Sequence, residues 1–151
     1  MLRVGARPQR LVLDTNVVVA GLLWSGAPRR LIEAAIDGEV DLFSSAALLV
    51  ELTRTLGYPK FSVRIQNFQT TATTLVGQYT ALVSVVAPAS VPRIVANDAD
   101  DDHVIATAIA AGAELIVTGD RKHRLPIGCY QGIAIVTARE VLDRIEAART
   151  L

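Results

Sequence analysis

Short apolar runs alternate with stretches of helical periodicity along this chain, and the alternation restricts the folds that it can adopt. The apolar runs lie at residues 11–13, 40–44, 83–86, 114–118 and 133–136. Strands that are apolar along most of their length fit a sheet that is buried on both faces. We therefore expect an α/β protein in which helices cover both sides of a parallel sheet.

The segments between these runs carry start and stop signals for helices. A short helix is expected over residues 17–23, and the apolar spacing of residues 61–83 predicts one long helix. The other signals, in chain order, are Ser25-Gly26-Ala27-Pro28 with Gly38, Ser45 as N-cap with Gly57, the acidic run 98–102 with Gly112, and a capping box of Thr137 and Glu140.

Length and composition indicate one globular domain. Of the 151 residues, 51% are hydrophobic and 20% are charged, which excludes a disordered chain. We expect residues 1–9 to be a basic, flexible extension and residues 10–151 to form the domain. The single cysteine, Cys129, excludes an internal disulfide, and no apolar run is long enough to span a membrane. Because no secretory signal is present, a cytoplasmic protein is expected. The formal net charge of zero gives no global attraction for nucleic acid.

Four carboxylates lie within five residues, from Asp98 to Asp102. Carboxylates this close repel one another unless a positive charge sits among them, and a divalent cation would provide it. The alternative is a solvated acidic loop at a helix N-terminus, where negative charge is favoured anyway. Asp14 and Asp120 each follow a predicted strand, at the sheet edge where α/β proteins bind ligands.

The position of two further acidic residues relative to the apolar face of their helices predicts which way their side chains point. Glu51 borders the apolar stripe of its helix, so it either turns toward the sheet or extends along the stripe to solvent. Asp101 shares a helix face with Val104 and Ile105, whereas Asp102 is expected to point elsewhere; the choice between the two aspartates stays open. A cluster of carboxylates suits Mg²⁺ or Mn²⁺ rather than zinc, because neither histidine has a partner at zinc-binding spacing.

The order and separation of these motifs resemble the PIN domain family, and most closely its VapC-like branch of toxin–antitoxin toxins. The matching segments are Val12-Leu13-Asp14-Thr15-Asn16-Val17, Ser45 with Glu51-Leu52, Tyr58-Pro59-Lys60-Phe61, Asp98-Ala99-Asp100-Asp101-Asp102, Ile116-Val117-Thr118-Gly119-Asp120 and residues 133–140. The resemblance implies a three-layer α/β/α, Rossmann-like fold with four or five parallel strands. It also implies a metal-dependent endoribonuclease that hydrolyses RNA with one or two Mg²⁺ or Mn²⁺ ions, forms a homodimer and is silenced by a protein antitoxin.

Carried over by position, the resemblance assigns the site residues. Asp14, Glu51, Asp101 and Asp120 correspond to the catalytic and metal-binding acids, and Asp98 to an outer or second-metal ligand. Asn16, Thr118 and Asp102 would support them, with Ser45 as the helix cap that positions Glu51. The chain departs from the branch at Ala99, where proline is usual, and in the basic run after Asp120. Candidate RNA contacts are Arg29, Arg30, Arg54, Lys60, Arg121, Lys122, His123 and Arg124.

Two other functions fit parts of the pattern. A PIN-like scaffold that binds RNA or metal without cutting would keep the same acids. A phosphatase of the aspartyl-phosphate type would need a second aspartate two residues after Asp14, where this chain has Asn16. The sequence therefore favours the nuclease.

Overall fold

The computed structural model describes residues 8–89, 99–119, 129–130 and 132–149. Within these ranges the helices are α1 (Thr15–Leu23), α2 (Ala27–Ile36), α3 (Ala46–Leu56), α4 (Pro59–Asn67), α5 (Ala72–Leu82), α6 (Ala99–Ala111) and α7 (Ala138–Arg149). The strands are β1 (Gln9–Leu13), β2 (Val40–Ser45), β3 (Ser84–Val86), β4 (Leu115–Val117), β5 (Cys129–Tyr130) and β6 (Ile133–Val136).

The strands form one sheet in the order β3-β2-β1-β4-β6-β5. The first five are parallel, and the two-residue β5 pairs antiparallel to β6 at the edge. The predicted α/β/α fold with a parallel sheet of four or five strands is thus confirmed. Strand β5 was not predicted, because a two-residue strand carries no periodicity.

Alternate residues of β1 enter two separate cores. Leu11 and Leu13 belong to a large core built with α1, α2, α3, α5 and α7. Val12 belongs to a second core, in which it packs with Val104 and Ile105 of α6. Since successive side chains of a strand point to opposite faces, the two cores are the two sides of the sheet. This arrangement leaves the carboxyl end of β1 between the helical layers.

The single long helix predicted over residues 61–83 is wrong, because the chain forms α4 and α5 instead. Gln69, between them, has a left-handed φ of 54°, which no continuing α-helix adopts. Thr71 then caps α5, since its hydroxyl accepts a hydrogen bond from the Thr74 amide at 3.1 Å. Apolar spacing continues across this break, so periodicity alone did not reveal it.

Close helix contact and side-chain hydrogen bonds fix the layers at several points. Gly21 lies where α1 meets α2: a Cβ there would be 2.6 Å from Cδ1 of Ile32. The predicted capping box begins α7, with the Glu140 amide donating to the Thr137 hydroxyl at 3.2 Å.

Strand β1 starts before the predicted run at residue 11, and Arg10 within it donates to the carbonyl of Ala111 at 2.9 Å. None of the helices in the described ranges has the length and apolar character needed to cross a membrane.

Candidate active site

A row of polar side chains crosses the carboxyl edge of the sheet. The parallel register pairs Val12 with Phe43 and Leu13 with Val117. Continuing each pairing past the end of β1 places Asp14 between Ser45, the last residue of β2, and Thr118. Two backbone hydrogen bonds show that the ladder does continue: the Asp14 amide donates to Val117 and the Thr118 amide donates to Val136, both at 2.9 Å. Neighbouring positions in such a row are about 4.8 Å apart.

Asp14 is a buried carboxylate, with 4% of its surface exposed. The Thr118 hydroxyl, itself buried, donates to Asp14 Oδ2 at 3.3 Å. Asp14 is also the N-cap residue of α1, but its carboxylate makes no capping hydrogen bond to that helix. The N-terminal end of α1 still favours a negative charge there through the helix dipole. The fold therefore holds an acid at the sheet edge and orients one of its oxygens.

Ser45 occupies the N-cap position of α3, but its side chain does not cap the helix. The expected capping role is therefore wrong. Instead, the buried Ser45 and Thr107 hydroxyls lie 2.8 Å apart, and Thr107 donates to the His103 carbonyl at 2.7 Å. Because Thr107 has one hydroxyl proton, Ser45 is the donor of the pair. This hydrogen bond joins the end of β2 to α6. The sequence signal that was missed is Thr107 itself, a polar residue within the apolar face of a helix.

Asp102 is wholly buried in the first turns of α6. The expectation that Asp102 points away from the sheet side of the helix is therefore wrong. The side chain of Asp101, the alternative acid, lies outside the described residues. Since α6 covers the second core, a buried Asp102 introduces another carboxylate beneath the helical layer that contacts β1.

Glu51 lies in α3, which begins at the same sheet edge. Its side chain is half-buried, between the buried Leu48 and Leu52. It therefore borders the apolar stripe as expected. Asn16, assigned as polar support, is exposed in the first turn of α1. Asp98 and Asp120, assigned as ligands, lie outside the described residues.

The donor chemistry of these residues fits a hard divalent cation. Carboxylate oxygens, with a hydroxyl holding one of them, are what Mg²⁺ and Mn²⁺ prefer. Burying carboxylates also costs free energy unless a positive charge compensates it, which a cation would do for Asp14 and Asp102. Across the ranges that the structure describes, no group of three or more potential ligands is close enough to hold a metal. The proposed set therefore depends on Asp98 and Asp120, which lie outside the described residues, and on either Asp101 or Asp102.

The candidate RNA contacts fall into two groups. Arg29, Arg54 and Lys60 are exposed, whereas Arg30 forms an ion pair with Glu146 at 3.0 Å. The remaining candidates, Arg121, Lys122, His123 and Arg124, lie outside the described residues.

A cavity in the described part of the chain lies away from the acidic edge. It measures about 700 Å³ and lies between α1, α2 and α5, where Ile32, Leu75 and Tyr79 contribute to its walls. Burial raises the pKa of the Tyr79 phenol above its ordinary value. Neither Asp14 nor Glu51 lines this cavity, so the site is assigned from side-chain chemistry and sheet position.

Comparison with known proteins agrees with the fold described above. Residues 10–122 match the family model described as PIN domain. The fold is similar to a solved structure of the T. brucei RRP44 PIN domain, with a TM-score of 0.50 and 13% sequence identity. The match covers 96% of this chain and 84% of that one. At this identity the likeness supports the fold alone. No curated protein matches the chain by sequence.

Proposed function

The chain belongs to the PIN domain family, and on that premise we propose that it is a Mg²⁺- or Mn²⁺-dependent endoribonuclease. PIN domains are typically nucleases. The observation that carries the proposal is the buried Asp14 at the carboxyl edge, with Oδ2 held by Thr118. This edge is where open α/β sheets bind their ligands, which supports a ligand-binding role for Asp14.

In this mechanism Asp14 and Asp102 would hold the cation, together with Asp120 and Asp98. A bound divalent ion supplies an activated water and offsets the negative charge of the phosphodiester. Thr118 keeps Asp14 Oδ2 oriented, so that the ligand geometry is set before RNA binds. Glu51 is assigned either as a further ligand or as the group that accepts the proton of the attacking water. Hydrolysis would leave 5′-phosphate and 3′-hydroxyl ends.

The test compares cleavage of a mixed RNA pool by the wild-type chain and by Asp14→Asn. The variant removes ligand charge at nearly constant volume, and Asp37→Asn, which alters an exposed acid at the end of α2, is the matched control. We expect cleavage in Mn²⁺ or Mg²⁺ from wild type and Asp37→Asn, none from Asp14→Asn, and none with excess EDTA. Wild-type cleavage by Asp14→Asn from a nuclease-free preparation would refute the assignment.

A second pair of variants decides between the neighbouring aspartates. The burial of Asp102 makes it our preferred ligand, in place of Asp101. Asp102→Asn should then abolish cleavage, while Asp101→Asn should retain most of it. Circular dichroism shows whether each variant is folded. The reverse order of effects in folded proteins would return the role to Asp101.

The alternatives give different results in the same assays. RNA binding without cleavage in Mn²⁺ would identify a catalytically silent module. Formation of a stable beryllium fluoride adduct on Asp14 would indicate a phosphatase. The VapC-like resemblance also proposes a homodimer and a protein antitoxin. Light scattering of the purified chain tests the first, and growth arrest on expression tests the toxin role that an antitoxin would oppose.

A further inference from the structure

Aromatic and basic side chains meet where the end of α1 lies against α4. Trp24, directly after α1, contacts Phe61 edge-to-face, with ring centroids 6.0 Å apart. The guanidinium of Arg64 lies 4.6 Å from the Trp24 ring centroid and 5.3 Å from that of Phe68, and it donates to the carbonyl of Leu23. We call this set, with Lys60 beside Phe61 and with Tyr58 at the N-cap of α4, the aromatic-basic surface.

Aromatic residues are concentrated on this surface although the chain has few of them. Its composition includes one Trp, three Tyr and three Phe, and four of these seven lie here. Three of the four are exposed, Trp24 at 41%, Tyr58 at 42% and Phe68 at 50%, whereas Phe61 is half-buried and packs against the large core. Large rings left in water at one place indicate a binding surface more than a packing role.

The charge of the surrounding sequence is positive although the whole chain is neutral. Residues 15–32 and residues 52–97, which contain α1, α4 and α5, include no aspartate or glutamate. The same segments contribute Lys60 and Arg64 to the surface and the exposed Arg29 and Arg54 nearby in sequence. Glu33, directly after the first of these segments, lines a cavity with Arg29 and Phe68, so the basic residues exceed the acidic ones here without being alone. A partner that pairs with this surface would be anionic and would offer flat apolar faces to the rings.

Single-stranded RNA has both properties. Its phosphates pair with basic side chains, and its unpaired bases stack on aromatic rings whatever their sequence. Double-stranded RNA keeps its base faces inside the helix, and an acidic peptide would match the charges but leave most of the rings uncovered. Arginine held against a ring can also contribute a cation–π contact to such stacking.

The surface is connected to the candidate active site by two helices. Helix α1 begins immediately after Asp14 and reaches Trp24 after about 14 Å, at 1.5 Å per residue. Helix α3 begins at Ser45 on the same sheet edge and leads through Gly57 to α4. The surface therefore lies about 14 Å along α1 from the acidic edge, a separation that a few nucleotides of extended RNA can span.

We propose that the aromatic-basic surface binds single-stranded RNA by stacking unpaired bases on Trp24 and Phe68, and so leads the strand toward Asp14. This inference rests on the proposed ribonuclease function, and what it adds is an RNA-binding surface at the end of α1 and along α4, apart from the acidic edge. It adds residues that the acidic motifs do not include.

Trp24 allows a direct test because it is the only tryptophan of the chain. The probe is a single-stranded RNA oligonucleotide, titrated into the full chain carrying Asp14→Asn, without divalent metal, so that no cleavage occurs. We expect quenching of Trp24 fluorescence by the single strand, and much weaker quenching by the same sequence annealed into a duplex. Affinity is measured separately by anisotropy of a labelled RNA.

Matched variants show whether the rings themselves contribute. Trp24→Ala and Phe68→Ala should each weaken binding about five- to 150-fold, the range found for a stacked base, while Trp24→Phe should retain most of the affinity. Lys60→Gln should reduce the slope of affinity against salt by about one. Val85→Ala, at an exposed apolar residue of β3, should leave binding unchanged. If Trp24→Ala fails to fold, Phe68→Ala and Lys60→Gln carry the test.

RNA binding without a change in Trp24 fluorescence would overturn the inference, as would equal quenching by the duplex or full affinity in folded Phe68→Ala. No RNA binding at low salt would also overturn it. The proposed nuclease function stands apart from these results, because it is decided by metal-dependent cleavage with the Asp14→Asn control. Binding with the expected quenching but no cleavage by the wild-type chain would support the surface and reject the nuclease.

Discussion

The buried hydroxyl pair of Ser45 and Thr107 predicts an energetic coupling between β2 and α6. Their oxygens are 2.8 Å apart, both residues are buried, and the Thr107 proton is donated to a carbonyl of its own helix. Ser45→Ala should therefore lower the free energy of unfolding by about 1 kcal/mol, the net value of one hydrogen bond. Thr107→Val should cost about 1–3 kcal/mol, because it leaves the Ser45 hydroxyl buried without this acceptor.

The double variant distinguishes this arrangement from the capping role expected from sequence. If the two hydroxyls interact, Ser45→Ala with Thr107→Val should cost about 1 kcal/mol less than the sum of the single variants. If Ser45 acted by capping α3, the two changes would add. Ser44→Ala combined with Thr107→Val is the control, because Ser44 is also buried in β2 and points to the opposite face.

Urea denaturation followed by circular dichroism measures the four free energies. Thermal unfolding provides a second readout, since 1 kcal/mol corresponds to about 2–4 °C in Tm for a chain of this length. A coupling below about 0.3 kcal/mol would contradict the hydrogen bond, because distant sites add to within that range.

Three other predictions follow from the described contacts. Gly21→Ala should destabilise the fold by about 1–3 kcal/mol, because the new Cβ would overlap α2. Gly77→Ala, in α5 and with open space around it, should stabilise the fold by about 0.5–1 kcal/mol. The urea midpoints of the two variants test both predictions. Burial raises the pKa of Tyr79 from 10.0, so its contribution to stability is present below pH 10 and lost as the pH rises above it. Tyr79→Phe should therefore reduce the alkaline loss of stability, and an unchanged profile would contradict this. Thr118→Val should lower the rate of metal-dependent cleavage about 10- to 100-fold, because Asp14 Oδ2 loses its hydrogen bond. Thr118→Ser keeps the hydroxyl and should retain most of the cleavage rate. Cleavage rates measured across a series of Mn²⁺ concentrations test both expectations.

Local patterns were sufficient where the chemistry is local. The five parallel strands, the helix stops and the Thr137 capping box were predicted because each depends on neighbouring residues and a fixed period. The position of Asp14 also followed from sequence, since a polar residue directly after a buried strand must lie at the sheet edge. These features need no knowledge of what packs against them.

Helix phase and hydroxyl partners were predicted less well. The burial of Asp102 depends on how α6 lies over the sheet, and apolar spacing alone placed this side chain away from the sheet. Ser45 has the right identity and position for a cap, yet its hydroxyl bonds to Thr107, 62 residues later in the chain. The break between α4 and α5 depends on one left-handed residue within a continuing apolar stripe.

The sequence of strands and helices along the chain and the sheet-edge position of Asp14 were thus determined largely by the amino-acid sequence itself, because residue type and short-range spacing decide them. Tertiary structure alone decided that Asp102 is buried, that Ser45 joins Thr107 and that Trp24 meets Phe61 and Arg64. Each of these depends on segments that are far apart in the chain, and the free energy of such a contact exists only once the layers have packed.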